Sequence, residues 1–119
     1  MPLETDPQIL RAVQLVYTTD LSLPEHWTDA QRSAFISEEA ETITWMVWAR
    51  AGTLGDQSVE HWQRRHGSYP SPTVQSTLRI TARAEAMKYV LQTELYELIP
   101  SDEDWEDADG RFLIQSGYL

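Results

Sequence analysis

The sequence predicts an all-α domain of about four helices, two long and two short, followed by an acidic C-terminal loop and a short extended strap. Three observations carry that reading. Apolar residues recur at intervals of three and four through 36–47 and 80–98. Helix-start signals precede the periodic segments at Asp6-Pro7, at Thr28 with Gln31, and at Ser71-Pro72. After Pro100 the composition changes, with six acids between Asp102 and Asp109. A length of 119 residues is one domain. The division read from the sequence is a helical domain over 1–100, with 101–119 packed on it as loop and strap.

The first helix is short. Asp6 caps it, and Pro7 suits the first helical position, where no backbone donor is needed. Ile9, Leu10, Val13, Val16 and Tyr17 give it one apolar face, and Thr18, Thr19 and Asp20 end it. Pro24 stiffens the connector from Leu21 to Trp27.

The second helix is predicted from Thr28, through a capping box with Gln31, to Arg50 or Ala51. Gly52 reads as its C′ residue. Ile36, Ala40, Ile43 and Val47 form its stripe. From Ile43 to Ala49 it is apolar nearly all round, so Trp45, Met46 and Trp48 need cover from a core or from a partner. Trp45 and Trp48 are expected to point in different directions. The first half, with Glu38, Glu39 and Glu41, reads as half solvated.

Gly52–Asp56 reads as a turn. A third, short helix is expected from about Gln57 to His66, closed by Gly67, with Val59, Trp62 and His66 on one face. Ser71 caps a fourth helix, which Pro72 starts and Pro100 stops. Its expected core stripe is Ile80, Ala84, Met87, Leu91, Leu95 and Leu98.

The chain has 9 basic and 19 acidic side chains, net −10, and no cysteine. That excludes a disulfide framework, thiol catalysis and thiolate metal sites, and suits a reducing cytoplasm. No apolar run has the length of a membrane span. Residues 1–55 and 101–119 are each net −5 and the middle is neutral. Such a balance opposes long-range attraction to phosphate backbones.

Neither metal pattern is satisfied. Aligning Gly110 with the sixth position of a calcium loop puts Trp105 at the first and Ser116 at the twelfth, where carboxylates are needed. His61 and His66 are five apart, a spacing that separates them on a helix. There is no Gly-rich phosphate loop, no nucleophile elbow and no paired carboxylates in an apolar helical setting. No cofactor, metal or catalytic residue is therefore assigned.

One segment resembles a known family. Val59-Glu60-His61-Trp62-Gln63-Arg64-Arg65-His66-Gly67, then Tyr69-Pro70-Ser71-Pro72-Thr73-Val74 and later Glu85-Ala86-Met87, is similar to the homing-endonuclease-associated repeat. The family's Phe-Gly-Ser-Trp element is missing, and Leu78-Arg79-Ile80-Thr81 stands in its place. The resemblance implies a helix-turn-helix-like DNA-binding module over 57–88, with contact roles for Arg64, Arg65, Gln75 and Arg79. Arg83, one turn beyond Arg79, shares its face.

The function expected from the sequence is a non-enzymatic interaction protein: a small regulator, inhibitor or assembly adaptor. Its partner would be a protein with a basic surface, with a second copy of the chain as another way to cover the apolar Ile43–Ala49 end of the second helix. The candidate interface residues are Glu38, Glu39, Glu41, Trp45, Trp48, Asp102, Asp104 and Asp107. DNA binding through 57–88 is the alternative, and an enzyme with an unrecognised site ranks third.

Overall fold

A computed structural model describes residues 4–100 of the chain. Among them are three α-helices rather than four: α1 (Pro7–Leu15), α2 (Asp29–His66) and α3 (Pro72–Glu94). One π turn (Val16–Asp20) extends α1, and one 3-10 turn (Tyr96–Leu98) follows α3. The expected acidic loop and strap lie outside the described residues.

The starts follow the sequence. Asp6 accepts hydrogen bonds from the backbone of Gln8 and Ile9 at 2.8 and 3.4 Å. At Thr28 the capping box closes both ways, at 3.1 Å from the Gln31 amide and 2.8 Å from the Thr28 amide to Gln31 Oε1. Ser71 caps α3 through the Val74 amide at 3.3 Å.

The expected break at Gly52–Asp56 does not occur. α2 runs unbroken for 38 residues, about 57 Å at the helical rise, and the second and third expected helices are one. Its apolar stripe explains why. Ile36, Ala40, Ile43 and Val47 continue without phase change through Ala51, Leu54, Gly55, Val59 and Trp62. Packing along that whole line outweighs the roughly 1 kcal/mol penalty of each interior glycine. The stop comes at Gly67, whose φ of +74° is the left-handed conformation that ends helices.

α3 returns antiparallel to α2 and presents a different face from the one expected. Val74, Leu78, Ala82, Ala86 and Val90, spaced by four, face α2, with Ala82, Ala86 and Val90 buried. Small residues on both helices allow the close approach. Of the expected stripe only Leu95 is fully buried; Ile80 is 68% exposed and Leu98 is 50% exposed. The α-helix ends five residues before Ile99, because the backbone turns at Leu95 (φ −130°, ψ −59°) and drives that side chain into the core.

α1 lies across one side of this hairpin. Ile9, Val13 and Val16 meet Ala40, Ile43 and Val47 of α2 and Ala86, Val90 and Leu95 in one cluster. No described helix is long and apolar enough to cross a membrane.

Candidate protein-interaction surface

Spacing alone puts Glu38, Glu41, Trp45, Trp48 and Gly52 on one line of α2, at steps of three, four, three and four. All five are exposed. This line lies on the flank away from the core stripe, and the described residues supply no second layer to cover it. Trp45 is 43% exposed, Met46 38% and Trp48 55%. Core burial, one of the two covers expected for them, is therefore absent within the described residues.

The two indoles do not diverge as expected. One helical turn apart, they pack edge to face with ring centroids 5.6 Å apart and planes at 80°. They form a single aromatic ridge, with Glu38 and Glu41 leading into it. Beyond Trp48, a Cβ built on Gly52 meets nothing within 4 Å. The glycine therefore leaves bare backbone at the end of the ridge. Glu39 is separate. It turns toward Tyr17, whose hydroxyl is held above its ordinary pKa by burial first and by the Glu39 charge second. Tyr17 itself packs edge to face on Phe35, at 5.1 Å.

The base of the ridge is braced by Asp6. A cavity of about 150 Å³ lies between the start of α1, Thr44 and Trp48 of α2, and Arg83 of α3. There the Asp6 amide donates to Thr44 Oγ1 at 3.1 Å, and Thr44 donates to the Ala40 carbonyl at 2.7 Å. Asp6 Oδ2 accepts from Arg83 Nη2. One carboxylate thus caps α1 and ties it to α3, while its backbone ties it to α2. Sequence reasoning identified Asp6 as a cap and missed the clasp, because its partners lie 38 and 77 residues away.

The DNA-contact candidates are dispersed. Arg83 is engaged by Asp6. Arg79 pairs with Asp56 at 2.9 Å and lies over Gly55. Gln75 donates to the Pro70 carbonyl at 3.2 Å, tying down the inter-helix loop. Arg64 and Arg65, in the last turn of α2, have no ion pair among the described residues. Nearby, Trp62 and His66 stack with centroids 3.9 Å apart, and His66 Nδ1 is 2.9 Å from the Trp62 carbonyl oxygen. Asp102, Asp104 and Asp107 lie outside the described residues. No protein-family model, curated protein or solved structure matches the chain.

Proposed function

We propose that the chain is a non-enzymatic protein-interaction module that docks a partner protein on the α2 line from Glu38 to Gly52. The observation that carries this reading is the paired, half-exposed Trp45 and Trp48. Tryptophan is the residue type most enriched at interface hot spots, where it fills a pocket on the other protein. Leaving two half-exposed on a helix flank, stacked on each other, keeps them out of the core that the described residues form. Gly52 supports the reading, since its open backbone lets a partner approach closely at the end of the ridge. Glu38 and Glu41 give the surface a negative approach, suited to a partner with a basic rim around an apolar pocket.

Affinity capture on the full chain from the native host, with mass spectrometry, tests this. Trp45→Ser/Trp48→Ser should lose the specifically captured protein while keeping the wild-type helical signal, and Glu38→Lys/Glu41→Lys should mainly slow its association. Capture unchanged by the tryptophan substitutions would remove the ridge from the function.

A further inference from the structure

α3 carries two apolar stripes. One faces α2. The other, Ile80, Ala84, Met87 and Leu91, forms the floor of an open groove of about 460 Å³; Ile80 and Ala84 are exposed, while Met87 and Leu91 are half-buried and also pack against the core. Gln8, Arg83 and Lys88 complete its lining; Arg83 is paired with Asp6, and Lys88 has no ion pair among the described residues, so Lys88 is the cation the rim leaves open. A second stripe at intervals of three and four is what a helix presents to another layer; α1 meets its Met87–Leu91 end, and no described element covers Ile80 and Ala84.

We propose that this groove is the seat of residues 101–119 of the same chain, held by the acids of 102–109 on Lys88 at its rim and by Trp105 and the Phe112-Leu113-Ile114 run on its apolar floor. Charge is the first reason. The segment holds Asp102, Glu103, Asp104, Glu106, Asp107 and Asp109 against one base, Arg111. It is the most acidic stretch of the sequence, and the groove is an apolar surface edged by Arg83 and Lys88. Reach is the second. From Ile80 to Leu98 is about 27 Å at the helical rise, whereas nineteen extended residues span about 60 Å. Trp105 lies six residues past Ile99, about 20 Å of extended chain, which is enough to turn back to Leu91 and Met87. A second copy fits less well. Antiparallel pairing of two such stripes about a twofold between Ala84 and Met87 sets Lys88 of each copy against Arg83 of the other, a residue already paired with Asp6, and so brings that lysine no counter-charge.

The chain has no cysteine, so a single introduced thiol can be labelled cleanly. A nitroxide on Thr81→Cys, an exposed site beside the far end of the groove, should broaden the amide signals of Glu106 to Ile114 at least about twofold. A label on Thr53→Cys, on the exposed face of α2, should leave them sharp. Adding Lys88→Glu or high salt should restore the lost intensity, with the spectrum of the helical core unchanged as the check on folding. Broadening that appears only when labelled and unlabelled chains are mixed would overturn the proposal in favour of a second copy's segment. Sharp signals in every sample would overturn it outright.

Discussion

The two ends of the α2–α3 hairpin are held together differently. At the end carrying α1, three helices surround Ile9, Val13, Ile43, Val47 and Leu95, all 2% exposed or less. At the loop end the described residues supply two helices, and two helices cannot enclose a large aliphatic side chain. The buried residues there are Gly55, Val59, Pro70 and Ala82. Polar contacts supplement them: Arg79 with Asp56 between the two helices, and Gln75 with Pro70 in the loop. The Arg79–Asp56 pair is well exposed on both sides and contributes at most about 1 kcal/mol. A third helix is therefore what converts a hairpin into a core here, and α1 reaches only one end.

The largest expected effect sharpens this contrast. Ile43→Ala should destabilise the protein by about 2–5 kcal/mol, as a buried large-to-small change with a cavity. Val59→Ala, in the two-helix end, should cost less, about 1.6 kcal/mol for two lost carbons. Denaturant titration of both variants measures the difference. Hydrogen exchange should agree, with amides of 57–66 and 72–82 exchanging before those of 40–47 and 86–91. Equal protection at both ends would break the comparison.

Next in size is the clasp. Asp6→Ala removes a helix cap and the partner of Arg83, and should cost about 1–3 kcal/mol. Asp6→Asn keeps a capping oxygen and should lose less. If the two variants were equally destabilised, the pairing with Arg83 and not the cap would be what Asp6 contributes.

The two interior glycines of α2 divide the same way. Gly52→Ala should stabilise by about 1 kcal/mol, since the new methyl enters open space. If the ridge is the docking surface, the same variant should bind the partner less well. Gly55→Ala should gain less or nothing. Its Cβ would lie 2.9 Å from Arg79 Nη1 and 3.4 Å from Arg79 Cγ, displacing the side chain that pairs with Asp56. Thermal melts of the two variants decide the order.

The smallest effect concerns pH. The Tyr17 hydroxyl titrates above its ordinary value of 10.0 in the folded state. Its protonated form is therefore favoured by folding, a contribution fully present below pH 10 and lost as pH rises through the folded value. Glu39→Gln removes the lesser of the two causes and should move the phenolate transition slightly down. Ultraviolet absorbance against pH follows it directly.

Much of the helical layout was legible in the residues. Asp6-Pro7, Thr28 with Gln31, and Ser71-Pro72 fix where each helix begins, because capping is a contact between residues two or three apart. The line Ile36-Ala40-Ile43-Val47 fixes the buried face of α2 for the same local reason. Gly52 misleads, since a glycine reads equally as a terminus or as a tolerated interior residue. The unchanged phase of the stripe through Ala51, Gly55 and Val59 was the signal that the helix continues. The aromatic ridge was also within reach, because residues 38, 41, 45 and 48 follow the helical period.

What local pattern could not supply was a choice between faces. α3 has two apolar stripes of comparable quality, and the more hydrophobic one is the less buried: Ile80 is exposed and Met87 and Leu91 are half-buried. The stripe with Ala82 and Ala86 won because Ala86 joins Ala40, Ile43 and Val47 of α2 in the core, and small side chains on both helices let the backbones come close. That complementarity exists only once the hairpin has closed. The sequence by itself thus determined where the helices start and which face of α2 is buried, through contacts between near neighbours. Tertiary structure decided which face of α3 is buried, the joining of Asp6 to Arg83, and the exposure of Trp45 and Trp48, because each depends on what a distant segment brings to the same place.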